Sequence, residues 1–369
     1  MRGSAHKLFV VVSFLLAGVS VSAGVTDHAV GVNVRPSFII PTHGFYNGWN
    51  PSGRTLRAGG TLDVQYSFSV DGSGAYQGAG AAVHTFFAHK LIGTPATIYI
   101  FQGAPLARIS DNMTIGYEWN LGLSAGWKNN GIVTVSPLNA YINVAALFTW
   151  HTGKYWDIVF GPEYTHFSNG DTMFPNGGAN TAGIRFGVRR HFAPYEVIIE
   201  NVFAGSEETV PSNRRMVYDM TLLGGWRADR NQTEGTLKID NRAFPTASFC
   251  FNPLYTFNDF LSAGAALEYM YDNSANAGHG PLAQSAIGIS ARGELKMPIF
   301  AVNIGAGYSL VLDHPEGVRK PELQGLYGVF SLKAFVTGRL FLNLSYRLSA
   351  VNYSHSLMYG IGIRLTRHP

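Results

Sequence analysis

Hydrophobic and polar residues alternate along much of the chain, in runs of about ten residues or more. In segment 113–128 one face carries Ile115, Tyr117 and Trp119 and continues to Trp127, whereas the other face is Thr, Gly, Glu, Asn and Ser. Segments 139–150 and 300–310 repeat this pattern. A period of two with an uncharged apolar face predicts β-strands that turn one side toward an apolar environment.

The lengths of the predicted strands and of their connections favour a membrane barrel. Strands of about ten to sixteen residues exceed the usual globular length and suit a tilted membrane crossing. In the first half, long connections alternate with tight turns, as they do in outer-membrane barrels. The predicted strands are 25–41, 61–70, 75–88, 96–110, 113–128, 139–152, 155–169, 181–192, 214–228, 246–257, 260–272, 281–297, 300–313, 326–338, 340–353 and 357–368.

We therefore predict an all-β fold: an outer-membrane antiparallel β-barrel of about sixteen strands in two eight-stranded halves. The halves form either one wide barrel or two small ones. The predicted organisation is a signal peptide over 1–23, a first barrel half over 24–192, a connector over 193–213 and a second half over 214–369. The long loops of the first half, including 42–60 and 170–180, are expected outside the cell, with 193–213 on the periplasmic side.

The N-terminal segment has the order of features typical of secretion. Arg2 and Lys7 precede an apolar run from Leu8 to Val19, and small residues end at Ala23. This pattern predicts cleavage near Ala23 and export through the inner membrane, and hence localisation in the outer membrane of a Gram-negative bacterium.

Composition excludes several other classes. Only 14% of the 369 residues are charged, and 43 are glycine, which disfavours disordered and all-helical proteins. No apolar run beyond residue 20 approaches the length of a membrane helix. Cys250 is the single cysteine, so the chain offers neither an internal disulfide nor a multi-cysteine zinc site. A formal charge of +4 does not indicate nucleic-acid binding.

Candidate chemistry lies at the end of strand 155–169. By parity, Trp156, Ile158 and Tyr164 share a lipid-facing side that continues to His166 and Ser168, beside a long outer loop. An imidazole and a hydroxyl two residues apart on one face could act as general base and nucleophile toward an ester. The alternative is a polar strand end at the level of the lipid headgroups.

Three further residues complete the candidate site. Asn180 falls on the same lipid-facing side of strand 181–192, where its amide could orient the His166 ring. Asn169 and the Gly170 amide could donate to an oxyanion. No His, Asp or Glu cluster has convincing metal-ligand spacing, so we expect no metal and no cofactor.

The run His166-Phe167-Ser168-Asn169-Gly170, followed by Pro175-Asn176 and Gly178, resembles the signature of the PagL-like lipid A 3-O-deacylases. These are outer-membrane β-barrel esterases, and the resemblance covers the first half of the chain. It implies that His166 is the base, Ser168 the nucleophile and Asn169 part of the oxyanion site. The third catalytic member of the family is a Glu, and this sequence has Asn180 there. Residues 193–369 have no counterpart in the short enzymes, and longer chains of this kind are described as acyloxyacyl hydrolase-like.

Together these features predict an outer-membrane serine esterase that removes an ester-linked acyl chain from lipid A. Its expected partners are lipopolysaccharide as substrate and the surrounding outer-membrane lipid, with no nucleic acid. One alternative is a non-catalytic barrel, a porin or a structural protein whose site has decayed. A secreted β-sandwich binding protein is a third possibility.

Overall fold

A computed structural model of the chain describes residues 27–69, 75–133, 136–194, 216–233, 236–257, 261–273, 285–296, 300–313, 323–349 and 355–366. The predicted signal peptide and nearly all of the predicted connector lie outside these ranges. Among the described residues, no helix is long and apolar enough to cross a membrane.

The first compact unit is a closed antiparallel barrel of eight strands. Neighbouring strands pair in chain order, and β1 closes the barrel against β8, with Ala29 opposite His191 and Ile40 opposite Asn180. The strands are β1 (Asp27–Ile40), β2 (Ala58–Ser69), β3 (Tyr76–Thr85), β4 (Gly93–Ser110), β5 (Met113–Trp127), β6 (Leu138–His151), β7 (Trp156–Ser168) and β8 (Ala179–His191).

The second compact unit is another closed antiparallel barrel, in which β16 pairs with β9. Its strands are β9 (Met216–Thr233), β10 (Thr236–Thr256), β11 (Leu261–Asp272), β12 (Ser285–Lys296), β13 (Phe300–Val311), β14 (Gly325–Phe335), β15 (Leu340–Ser349) and β16 (His355–Thr366). The predicted all-β fold in two eight-stranded halves is confirmed, and the halves are two small barrels rather than one wide barrel.

The strand boundaries differ most in the first hairpin of the second barrel. Our prediction ends the first strand at 228 and begins the next at 246, whereas pairing continues to Thr233 opposite Thr236. The intervening sequence is rich in charged residues, which alternation treats as a loop. Hydrogen bonds between two backbones do not require apolar side chains, so a polar hairpin can continue beyond the apolar part of a strand.

Side chains divide by parity between the outside and the lumen. On β8, Ala182, Ile184 and Phe186 are exposed on the outer face, as predicted, and Arg185 is fully buried inside. The apolar residues therefore point outward and the polar residues inward, the reverse of a soluble β-protein and the arrangement of a barrel surrounded by lipid.

Buried ion pairs cross the lumen of the first barrel. The Arg185 guanidinium donates to Glu118 and, through Nε at 3.0 Å, to Glu163. Arg35 pairs with Asp63 and lies 3.6 Å from Glu163. The five side chains come from β1, β2, β5, β7 and β8 and compensate one another's charge, so a polar core crosses the lumen.

The second barrel has its own charged core. Lys333 Nζ lies 2.6 Å from Asp219 and 2.5 Å from Glu294, and Arg364 contacts the same two carboxylates at 2.6 Å. Two cations and two anions therefore compensate one another within this lumen.

Loops cover one end of the first barrel. Residues 41–57, which include a short 3-10 helix at Gly44–Tyr46, bury the Phe45 and Tyr46 rings completely. They pack with Ile92 and Val133 from two other loops at this end. The Tyr46 hydroxyl donates to the Gly178 carbonyl at 2.7 Å, which ties this cap to the loop between β7 and β8. The cap supports the segment that carries the sequence motif.

Candidate functional site

The pairing of β7 with β8 forms the centre of the candidate site. His166 lies directly opposite Asn180 in the register. Their side chains meet on the outer face, where His166 Nδ1 and Asn180 Oδ1 are 2.6 Å apart, and both residues are half-buried. A proton on Nδ1 donated to the amide oxygen would leave Nε2 with the lone pair that a general base requires.

Tyr164 is a member of this network that the sequence analysis did not identify. Its hydroxyl donates to Asn180 Oδ1 at 2.8 Å, so this oxygen faces two donors, the hydroxyl and the His166 ring. The signal was present, because Tyr164 has the same parity as His166 on β7. Parity places Tyr164 among the lipid-facing residues and does not indicate a partner for its hydroxyl.

Ser168 ends β7 on the same outer face, two residues beyond His166. Gly178 packs close to both side chains. A β-carbon at this residue would lie 3.9 Å from His166 Cε1 and 4.0 Å from Ser168 Cβ. It would also lie 2.8 Å from the Phe167 carbonyl oxygen, and Gly178 has a φ of +62°. Only glycine meets both conditions without strain, so this residue lets the loop close against the His166 and Ser168 side chains.

The loop after Ser168 is held by its own polar groups. Asn169 is buried, its backbone N–H donates to Asn176 Oδ1 at 3.2 Å, and its side-chain amide donates to the Met173 carbonyl at 2.8 Å. Asn176 in turn donates to Asp171 at 2.9 Å. The Asn169 backbone N–H and one donor of its side chain are thus used within the loop. Gly170 follows with a φ of +64°, at the turn.

Glu163 does not take the place of the missing acid. As its parity predicted, this side chain points into the lumen, where it is bound by Arg185. The polar group that faces His166 is therefore the neutral amide of Asn180. Within the part of the chain that the structure describes, no group of three or more His, Cys, Asp or Glu residues could hold a metal ion.

Searches of solved structures return outer-membrane barrels. An outer membrane channel from Pseudomonas putida F1 is 8% identical, with 94% of this chain and 98% of that chain covered and a TM-score of 0.19. A KdgM porin in complex with oligogalacturonate is 8% identical over 74% and 94%, with a TM-score of 0.18. The Acinetobacter baumannii outer membrane protein Omp33 is 9% identical over 92% and 99%, with a TM-score of 0.17. At such scores these likenesses say nothing about function.

The comparison with curated proteins gives no match. A family model described as acyloxyacyl hydrolase, C-terminal domain (PagL_C) matches residues 216–367, which is the second barrel. The match does not include His166, Ser168 or Asn180, which lie in the first barrel. Residues 216–367 are thus similar to an acyloxyacyl hydrolase C-terminal domain, and this match supports the PagL-like family that the motif of the first barrel resembles.

Proposed function

We propose that this protein is an outer-membrane serine esterase that removes an ester-linked acyl chain from lipid A. The observation that carries the proposal is the pairing of His166 with Asn180 on the lipid-facing side of the first barrel, with Ser168 next along the same face. Polar groups exposed to hydrocarbon cost several kcal/mol when they are unpaired, so a cluster of three at this face favours a functional role.

The arrangement supports a two-step acyl transfer. His166 Nε2 takes the proton of the Ser168 hydroxyl as its oxygen attacks the ester carbonyl, and the negative charge collects on the carbonyl oxygen. When the bond to the sugar oxygen breaks, the imidazolium returns its proton to that oxygen, which leaves an acyl group on Ser168. Water, deprotonated by the same ring, then releases the fatty acid and restores the hydroxyl.

Asn180 and the loop after Ser168 would assist these steps. The amide oxygen of Asn180 accepts from His166 Nδ1 and so fixes the tautomer with a free Nε2, although it supplies no charge to balance the imidazolium. As oxyanion donor we propose the Gly170 amide, with Asn169 holding the turn through its bonds to Asn176 and Met173.

The position of the site supports a lipid substrate. The catalytic side chains lie where β7 meets a long loop, on the face that bears Ile184 and Phe186. An ester at the headgroup level of the outer leaflet would reach them without leaving the membrane. The acyloxyacyl hydrolase domain in the same chain is consistent with an acyl ester as the bond attacked.

The alternative of an open channel receives less support. Arg185, Glu118 and Glu163 join opposite walls of the first lumen, and Lys333, Arg364, Asp219 and Glu294 do the same in the second. A porin lumen is instead a water-filled passage. A barrel with a decayed site remains the competing function.

Mass spectrometry of lipid A tests the proposal. Cells that express the native protein should lose the mass of one acyl chain from lipid A, and Ser168→Ala should abolish this loss because it removes the nucleophile. Ser110→Ala, at the opposite end of the first barrel, is the matched control and should retain activity. Unchanged lipid A with the native protein, across acyl-chain variants, would favour the non-catalytic barrel.

A further inference from the structure

Four positively charged side chains lie in the loops at one end of the first barrel, and the proposed chemistry does not use them. Arg54 and Arg57 lie in loop 41–57, Lys90 in loop 86–92 and Lys128 in loop 128–137, and all four are exposed. Arg54, Arg57 and Lys90 form no ion pair with any described residue. We call these four residues the cationic rim.

The described residues of these loops include no exposed acidic side chain. The four loops at this end contain one acidic residue, Asp171, which is buried and accepts a hydrogen bond from Asn176. The described connections at the other end carry charges of both signs, and Arg108 lies 3.9 Å from Asp111 there. Among the described residues, the loop end of the first barrel therefore combines exposed positive charges with a buried acid, and this is the end that holds the candidate site.

Two loops of the cationic rim contact the motif loop at Gly178. Tyr46, in the loop of Arg54 and Arg57, donates to the Gly178 carbonyl at 2.7 Å. The Val133 carbonyl, in the loop of Lys128, accepts from the Gly178 N–H at 3.2 Å. Since a β-carbon at Gly178 would touch both His166 and Ser168, the cationic loops lie immediately above the candidate catalytic groups.

The strand register gives the approximate distance between Arg57 and β8. Ile40 of β1 lies opposite Asn180, and the neighbouring Ile39 donates its N–H to the Arg57 carbonyl at 2.8 Å. Arg57 is thus two strand spacings from β8, or about 10 Å between backbones. A lipid whose ester bond reaches Ser168 must place its headgroup above the ester, at the height of the loops.

We propose that the cationic rim binds the phosphate groups of the lipid A headgroup while its acyl ester lies at Ser168. This inference rests on the proposed function and names the part of the substrate that positions it. Arg and Lys are the side chains that bind phosphate oxygens, and an exposed site of this kind acts through several weak contacts that salt screens.

The test compares two substrates in detergent micelles, bisphosphorylated lipid A and phosphate-free lipid A, with the triple variant Arg54→Gln, Arg57→Gln and Lys90→Gln. For the phosphorylated substrate we expect KM to rise about tenfold and kcat to stay unchanged, because the lost contacts bind ground state and transition state alike. For phosphate-free lipid A, the triple variant should have the same KM and kcat as the native protein. Raising the salt concentration from 0.1 M to 1 M should raise KM only for the phosphorylated substrate.

A matched control removes the same charges elsewhere. Arg108→Gln, Lys154→Gln and Arg190→Gln, at the other end of the barrel, should leave both substrates unaffected. Equal losses in the control, equal losses on both substrates, or an unchanged KM in the rim variant would each overturn the inference.

Binding by a catalytically inactive protein separates this inference from the proposed function. Ser168→Ala protein in detergent should retain phosphorylated lipid A better than phosphate-free lipid A, and the rim substitutions should abolish that preference. Vesicles of phosphatidylglycerol provide a second anionic surface. If protein with the native rim retained these vesicles as strongly as it retains phosphorylated lipid A, specific recognition of the lipid A headgroup would be overturned. Hydrolysis that persists in Ser168→Ala would refute the proposed mechanism and leave this binding result intact.

Discussion

The amide of Asn180 faces an imidazole that, in the proposed reaction, becomes positively charged. A carboxylate at this point would stabilise that charge by a charge-assisted hydrogen bond, whereas an amide oxygen contributes only its dipole. Tyr164 also donates to the same oxygen and competes for its electron density. In the proposed reaction Asn180 would therefore orient His166 without supplying a balancing negative charge.

Substitutions at Asn180 test this role. Asn180→Asp should maintain or raise kcat, because a carboxylate accepts the same hydrogen bond and balances the imidazolium. Asn180→Leu should raise the activation free energy by the amount typical of a lost hydrogen bond to a charged group, about 1.5–3 kcal/mol. This corresponds to a kcat about ten- to a hundredfold lower. The measurement is initial deacylation rates of purified variants.

Two outcomes would revise this interpretation. A wild-type rate for Asn180→Leu, with Ser168→Ala inactive, would keep the esterase and remove Asn180 from it. If either variant lost the folded barrel, as measured by heat-dependent electrophoretic mobility, Asn180 would have a structural role. We expect neither, since both side chains project from the outer face.

Parity along the strands was enough to bring His166, Ser168 and Asn180 to one face, because the side-chain period of a strand is fixed. It could not predict the partners of Asn169, since those depend on how loop 169–178 folds back on itself. The role of Tyr164 was missed because a ring exposed to lipid and a hydroxyl that reaches a neighbour are compatible with the same parity.

Among the connecting elements, the loop at Gly178 joins the cap to β7, the strand that carries the candidate site. Its carbonyl accepts from Tyr46 and its N–H donates to the Val133 carbonyl, so both sides of this peptide unit are fixed. Movement of this loop would be transmitted directly to the end of β7, where Ser168 lies.

A pair of glycine substitutions tests this connection. Gly178→Ala should lower activity strongly, because its β-carbon would lie 2.8 Å from the Phe167 carbonyl and force the end of β7 to move. Gly131→Ala is the matched control: Gly131 also has a positive φ, +70°, but nothing lies within 4 Å of a β-carbon there. It should cost about 1 kcal/mol of backbone strain and leave kcat unchanged. Equal effects of the two variants on kcat would contradict a contact-based role for Gly178.

Alternation located the strands well wherever one face is continuously apolar, as on β5 and β13. It failed at the polar hairpin of β9 and β10, where pairing continues through charged sequence. The sequence pattern also did not predict the buried cap. Phe45 and Tyr46 have Gly, Asn and Pro as sequence neighbours, and they are buried in a cluster that includes Ile92 and Val133 from other loops. Long-range packing therefore determined the elements that short-range patterns missed.

At the scale of the whole molecule, two filled barrels predict a protein that does not conduct. Arg185, Glu118 and Glu163 occupy the first lumen, and the charges around Asp219 occupy the second. In planar lipid bilayers, purified protein should give no stepwise conductance of the size that porins show. Reproducible conductance steps from the native protein would support the channel alternative and count against filled lumens.

The number of barrels could not be predicted from the sequence because it depends on which strand pairs with β1. β1 can pair with β8 or with a more distant strand, and the alternating pattern of each strand is the same in both cases. The structure closes β1 on β8 and β9 on β16, which shortens the sequence separation of each closing contact. A shorter closing loop costs less conformational entropy, which favours two small barrels.

The outward direction of His166 and Ser168 also determines how the substrate would arrive. An ester in the outer leaflet reaches this wall by lateral diffusion, so the relevant concentration is its mole fraction among neighbouring lipids rather than its amount per volume. Diluting lipid A with an inert detergent, at constant total lipid A, would then reduce the frequency of encounters. Saturation of such a site depends on the surface density of lipid A in the leaflet. Rates from different membranes are therefore comparable only when they are expressed per area of leaflet.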